Sequence, residues 1–237
     1  MTYSIFCPYF QFMTHSVTKT AIQNLAVQNG AALCGICRID DELRQDFHFE
    51  IRKISEKMTH AISIGVALSK SVMDTLVDRP NMLYKAHYRQ VNATLDDIAL
   101  AVSKEIESAG HRALPLPASM VLKRRPMIAH LSHREIAYRA GLGWRGRNNL
   151  LVSKKYGSMV RLVTVLTDFE TDPDEISKDD CGECRACLKA CPAGAIFEDE
   201  ERFNLEACSA QVHKFARENN YGLLICGLCL KVCRGKK

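Results

Sequence analysis

The stretch CGECRACLKACP (Cys181–Pro192) decides how the last part of this chain folds. Its cysteines follow the spacing C-x2-C-x2-C-x3-C-P, which iron–sulfur proteins use to bind cubane clusters. Three thiolates at this spacing can surround one cubane, and the fourth turns toward a second cluster. Zinc sites and disulfides also use paired cysteines, but the continuous run followed by Pro192 favours iron–sulfur clusters.

A second motif, CGLCLKVC (Cys226–Cys233), has one cysteine fewer, and Cys208 is the only cysteine between the two motifs. Eight thiolates make two groups of four, and in ferredoxins the fourth cysteine of the run binds the other cluster. Because this segment has little core without clusters, we expect cluster assembly to be coupled to its folding. The assignment predicts a first set, Cys181, Cys184, Cys187 and Cys233, and a second set, Cys191, Cys208, Cys226 and Cys229.

The composition is that of an ordinary water-soluble protein, with 237 residues of which 47% are hydrophobic and 25% charged. The net charge of +5 is modest, so it does not by itself indicate nucleic-acid binding. We find no apolar run long enough to span a membrane and no secretory signal, and therefore expect a cytoplasmic protein. Eleven cysteines are unusual in a cytoplasmic chain unless metals hold them.

The rest of the chain alternates between helix and strand patterns, which predicts an α/β (α+β) domain over residues 1–172. An acidic, turn-rich linker at 168–180 is expected to lead into a small cluster domain, residues 173–237. Cys34 and Cys37 are predicted to be small core residues, because positions three apart on a strand face opposite sides. Cys7 has no partner motif and is predicted to be a core residue as well. The predicted helices are 17–29, 82–109 and HLSHREIAYRA, and the predicted strands lie in AALCGICRI, HAISIGVAL and the segment after Asn149.

The stretch AYRAGLGWRGRNN (Ala137–Asn149) contains glycines at GxGxxG spacing. A dinucleotide site needs a strand before these glycines and a helix after them. Here a predicted helix precedes them and strands follow, so a dinucleotide site is disfavoured. Two alternatives remain open: tight packing where a helix stops, or close approach of the backbone to another cofactor.

The order of this glycine loop, the Gly157-Ser158 turn, TDFE and CGECRACLKACPAGAI resembles epoxyqueuosine reductase, a family related to the reductive dehalogenases. The resemblance covers about residues 134–233. It implies a nitroreductase-like α/β domain that binds cobalamin, followed by a ferredoxin-like domain with two 4Fe-4S clusters that delivers electrons to the cobalt. It also implies that the loop contacts the corrinoid through Gly141, Gly143, Trp144, Gly146, Arg147, Asn148 and Asn149.

One difference from the family concerns the proton donor. The family has an aspartate shortly before this helix, but residues 123–133 contain no carboxylate. We therefore consider Tyr88 and His130 as catalytic proton donors, against the alternatives of a core aromatic stripe and a surface histidine. The epoxyqueuosine reaction is accordingly disfavoured.

These patterns support two hypotheses about function. The protein is either an iron–sulfur oxidoreductase that reduces a small substrate through bound cobalamin, or an electron-transfer protein that activates the corrinoid of a partner. A plain ferredoxin-like carrier would leave the large upstream domain without a role. The expected partners are an electron donor such as a ferredoxin or flavodoxin, and a small molecule or corrinoid protein, rather than tRNA or a membrane.

Overall fold

The computed structural model describes residues 16–124, 127–218 and 222–236. Cys7 lies outside these residues, so its assignment to a core stays a prediction. Within the described residues no helix is both long and apolar enough to cross a membrane. The helices are α1 (Lys19–Gln28), α2 (Asp41–Gln45), α3 (Phe49–Ser55), α4 (Lys70–Asp74), α5 (Met82–Ser108), α6 (His133–Arg139), α7 (Ala186–Ala190), α8 (Leu205–Glu218) and α9 (Leu228–Val232), and the strands are β1 (Leu33–Arg38), β2 (His60–Ala67), β3 (Ala113–Leu116), β4 (Lys123–Arg124), β5 (Met127–Ile128), β6 (Trp144–Arg145), β7 (Leu151–Val152) and β8 (Val160–Thr167).

A four-stranded antiparallel sheet in the order β1-β2-β8-β3 forms the centre of the α/β domain. Side chains alternate across its two faces, as a pleated strand requires. On one face Ile62 and Ile64 pack with the apolar sides of α1 and α5. On the other face Ala61 and Leu166 pack with α2, α3 and α6. The result is a sheet with helices on both faces.

The ends of the helices follow the capping residues in the sequence. Thr18 caps α1 by accepting a hydrogen bond from the backbone N–H of Ala21, and Asn81 caps α5 in the same way through Tyr84. At the C-terminal end of α6, Gly141 has a φ of +71° and its N–H donates to the Tyr138 carbonyl. The predicted stop at Gly141 is thus confirmed.

The segment between the two domains lies along the α/β domain without regular secondary structure. Asp174 accepts a hydrogen bond of 2.8 Å from the Ile36 backbone N–H and forms an ion pair of 2.6 Å with Lys19. This linker is therefore anchored to β1 and α1.

The predicted cluster domain shares a hydrophobic core with the predicted α/β domain. Ile225 and Leu228 are buried in the same hydrophobic cluster as Leu76 and Tyr84. A Cβ on Gly227 would lie 2.8 Å from the Tyr84 ring, so only glycine allows this approach at a φ of +86°. The start of α9, with its cysteine motif, is thereby fixed against α4 and α5.

Candidate functional site

The structure brings the four cysteines of the first set together. The pKa of the Cys187 thiol is raised to about 11, first by burial and then by the nearby Cys181 and Cys233, with Cys184 contributing as well. A metal-bound cysteine is a thiolate, so these thiols need cations such as iron to hold their deprotonated form. Cys184 is the exposed member of the set.

The second set is grouped in the same way. Burial raises the pKa of the Cys229 thiol well above its usual value, and Cys226, Cys208 and Cys191 raise it further. Among the described residues no three His, Cys, Asp or Glu side chains converge closely enough to share one metal ion. The ligands of a cubane bind separate irons and therefore stand farther apart than the ligands of a single ion.

An interdomain cavity of about 680 Å³ lies between the α/β domain and the cluster domain and opens to solvent. All four cysteines of the second set lie on its wall, whereas the wall includes no cysteine of the first set. The lining is mainly apolar and includes Leu151, Val160 and Leu162. The volume is typical of a site for a small molecule or cofactor.

Tyr88, a predicted proton donor, lies on the wall of this cavity. Its hydroxyl is 3.2 Å from the Ser119 hydroxyl, and the Arg161 guanidinium lies 4.4 Å from the centre of its ring. Arg161 also lines the cavity and is held by hydrogen bonds to Asn92 and to the Ala118 carbonyl. The structure thus places a phenol and a fixed cation side by side at the cavity.

His130, the other predicted proton donor, does not line the cavity. Its Nε2 is paired with Glu50 at 3.0 Å, and its backbone carbonyl accepts a hydrogen bond from His48. Its position gives no support to a catalytic role, because a proton donor must reach the reacting atoms. His130 instead joins the end of β5 to α3.

The cavity wall also includes the ionisable residues His133 and Asp46. His133 is held between the Thr164 hydroxyl at 2.8 Å and the Pro117 carbonyl at 3.0 Å, and burial lowers its pKa to about 4. It is therefore a neutral structural group. Asp46 ends α2 and reaches the cavity from far along the chain, so the spacing of the sequence carries no signal for it.

The glycines of the loop have a different role from the predicted one. A Cβ on Gly141 would lie 2.3 Å from the Glu175 carbonyl oxygen, and one on Gly143 would lie 2.1 Å from that of Val152. On Gly146 it would meet the Val152 side chain at 2.5 Å. None of the three lines the interdomain cavity. They permit close packing of backbone segments, which was the other alternative left open by the sequence.

Arg147 likewise contacts the cluster domain rather than the cavity. Its side chain is 6% exposed, and its nitrogens donate to the carbonyls of Glu198, Cys184 and Gly182 at 2.7, 3.1 and 3.0 Å. An ion pair of 2.8 Å with Glu200 completes its partners. Arg147 does not line the cavity, and these contacts make it a connection between the glycine loop and the cysteine-rich part of the chain.

Of the loop residues predicted to bind the cofactor, only Asn148 and Asn149 line the cavity. The amide of Asn148 is already used, since its nitrogen donates to the Ser158 hydroxyl at 3.0 Å. Asn149 has a φ of +57°, and its carbonyl accepts a hydrogen bond from Arg134. Trp144 is buried and points its indole N–H at Cys181.

Cys34 and Cys37 lie on opposite faces of the sheet. Cys34 packs with the cluster around α5, and Cys37 belongs to the core beneath α6. Burial raises the pKa of each thiol to about 12. The predicted structural role of both is confirmed, since the two thiols cannot meet across the sheet.

The grouped cysteines and the shared core define an iron–sulfur protein with a mixed α/β domain. Residues 174–197 match the 4Fe-4S binding domain family. The epoxyqueuosine reductase of Listeria monocytogenes serovar 1/2a is 36% identical over 111 residues, which are 44% of this chain and 29% of that relative. The predicted resemblance to the epoxyqueuosine reductases is confirmed for this part of the chain.

Solved structures show the same fold over most of the chain. The structure of epoxyqueuosine reductase from Streptococcus thermophilus superposes with a TM-score of 0.61 at 24% identity, covering 91% of this chain and 65% of that one. A reductive dehalogenase described in connection with B12-dependent dehalogenation gives 0.70 at 18% identity, covering 90% and 31%. The chain thus spans less than two thirds of the length of these relatives.

Proposed function

We propose that the protein is an iron–sulfur reductase in which electrons pass from the first cluster through the second to a cobalamin in the interdomain cavity. The observation that carries the proposal is the placement of the second set on the cavity wall and of the first set away from it. Cys184 is exposed, which supports the first cluster as the point of entry for electrons from a ferredoxin or flavodoxin.

The residues present fit both the iron–sulfur clusters and cobalamin. Two groups of four thiols suit two cubanes. The interdomain cavity has apolar walls for the faces of a flat ring, and Ser119, Ser132 and Arg134 supply polar groups for its amide fringe. The open side leaves room for a cofactor larger than the enclosed volume. When bound, cobalamin supplies a cobalt ion that accepts electrons one at a time and passes them to a substrate.

Tyr88 would hold the proton that the reduced substrate takes up. Tyr88 lines the cavity, and the Arg161 cation beside its ring would offset the negative charge left when the proton is given up. Ser119, which is within hydrogen-bond distance, keeps the hydroxyl oriented.

Replacing Tyr88 by Phe is expected to lower turnover about 10²–10⁴-fold with unchanged cluster content. Tyr138→Phe, away from the cavity, is the matched control.

The experiment that tests cofactor binding is cobalamin retention on anaerobic gel filtration of the full chain with its clusters. Ala129→Trp fills the cavity mouth and should release cobalamin, whereas Ala86→Trp, exposed on α5 away from the cavity, should retain it. Wild-type protein that elutes without cobalamin would contradict the proposal. Both variants should keep wild-type iron content.

We propose a small organic molecule as substrate. One related structure carries an epoxyqueuosine-modified tRNA stem loop and another 3-bromo-4-hydroxybenzoic acid, so both classes of compound form the assay panel. Residues 123–133 lack a carboxylate, and we expect no restoration of queuosine in cells without epoxyqueuosine reductase. If queuosine is restored, Asp46 is the residue to replace, because it is a carboxylate residue that lines the cavity.

A second candidate function is reduction of a corrinoid held by a partner protein. The observation in its favour is the group of exposed apolar residues at the cavity mouth, Met120, Val121 and Met127. In that case free cobalamin would not be retained, but a corrinoid protein would be reduced at a rate that depends on both clusters.

A further inference from the structure

Two side chains of the α/β domain donate hydrogen bonds to sulfur atoms of the first set. The indole Nε1 of Trp144 lies 3.4 Å from Cys181 Sγ, and the hydroxyl of Ser158 lies 3.4 Å from Cys233 Sγ. In the second set, Cys191 Sγ instead accepts from a backbone group, the N–H of Ala195, at 3.4 Å. The first set therefore has donors that a change of side chain can remove.

The surroundings fix both donors. Ser158 is 1% exposed, and its oxygen accepts the amide N–H of Asn148 at 3.0 Å, which leaves its own proton to point at Cys233. Asn148 is held in turn by the backbone N–H of Leu150 at 3.3 Å. Trp144 is 3% exposed and belongs to β6, which pairs with β7. A donor that is fixed in this way does not have to reorganise when the charge on the sulfur changes.

We propose that Trp144 and Ser158 raise the reduction potential of the first cluster, an inference that rests on the proposed function because it takes the clusters to be bound. Reduction adds an electron whose charge is shared by the cluster and its thiolate sulfurs. Hydrogen-bond donors aimed at those sulfurs stabilise the reduced form more than the oxidised form. The α/β domain thus sets the potential of the cluster at which electrons enter.

The test is a redox titration of the full chain, reconstituted anaerobically and followed by electron paramagnetic resonance. Ser158→Ala and Trp144→Phe should shift the first cluster to a lower potential and leave the second unchanged. Ser158→Thr keeps a hydroxyl and should restore the wild-type value. Ser153→Ala is the matched control, because that buried serine donates to the Gly157 carbonyl rather than to a sulfur.

The outcomes separate this inference from the proposed function. Wild-type protein without clusters would contradict the proposed function itself. Full iron content with unchanged potentials in Ser158→Ala and Trp144→Phe would overturn only the inference. Ser158→Ala removes a single hydroxyl. If Trp144→Phe fails to fold, the potential of the first cluster in Ser158→Ala tests the inference by itself.

Discussion

At the scale of single residues, Gly141 and Gly110 share a positive φ but have different surroundings. Gly141, at +71°, would place a Cβ 2.3 Å from the Glu175 carbonyl oxygen, while Gly110, at +86°, has open space around it. Gly110→Ala should lower the free energy of unfolding by about 1–2 kcal/mol through backbone strain alone. Gly141→Ala should lower it by about 1–3 kcal/mol more, because the linker must also move. Equal losses in denaturant titrations would contradict this packing role.

His133 gives the protein a specific dependence on pH. Burial holds its pKa at about 4, below the ordinary 6.5, so the unfolded chain takes up this proton at higher pH than the folded chain. Stability should therefore fall as the pH falls from about 6.5 to about 4, by up to about 3 kcal/mol. His133→Gln should remove this part of the decline in the free energy of unfolding. If the free energy of unfolding falls with pH in parallel for the wild type and His133→Gln, His133 is not neutral when folded.

Spacing along the chain was the signal for the single residues that the sequence indicated. The cysteines of both sets come together as their motifs indicate, and Tyr88 lies at the cavity. Arg161 and Asp46 were missed because they reach the same cavity as Tyr88 only through the tertiary fold. The loop glycines were noticed, but the backbone carbonyls that they face belong to segments later in the chain.

At the scale of elements, Arg147 ties the glycine loop to the cluster domain. A lysine keeps the charge but cannot donate along the separate directions of the guanidinium, so buried carbonyls would lose partners. Arg147→Lys should lower the free energy of unfolding by about 2–4 kcal/mol and speed the loss of iron to a chelator. Arg145→Lys is the control, since Arg145 is exposed and pairs with Glu135. Its effect should stay within about 0.5 kcal/mol. A similar effect of both changes would contradict the connecting role.

The long elements were predictable because each carries its own local pattern. The helix predicted at 82–109 is α5, and the strand predicted in HAISIGVAL is β2. The short strands β4, β5 and β6 were not predicted, because two-residue strands depend on their partners rather than on a pattern, whereas β7 and β8 lie in the segment after Asn149 that was predicted as strand. The linker was predicted as a connection, but its anchoring through Asp174 depends on contacts with distant residues.

At the scale of the whole molecule, the two parts of the chain form one continuous core with a cavity between them. The composition and cysteine motifs predicted an α/β part and a cluster part. They could not predict that Ile225 and Leu228 are buried with Tyr84, because that contact requires the folded shape of both parts. This shared core is what brings the second set to the cavity wall.

The central claim is that eight cysteines hold two cubane clusters along one path to the cavity. The measurement that tests it most directly is the iron content of anaerobically prepared wild-type protein and of Cys208→Ser. We expect about eight irons per chain in the wild type and about four in the variant, since each cubane contains four. Full iron content in Cys208→Ser, together with loss of iron in Cys34→Ser, would contradict the account.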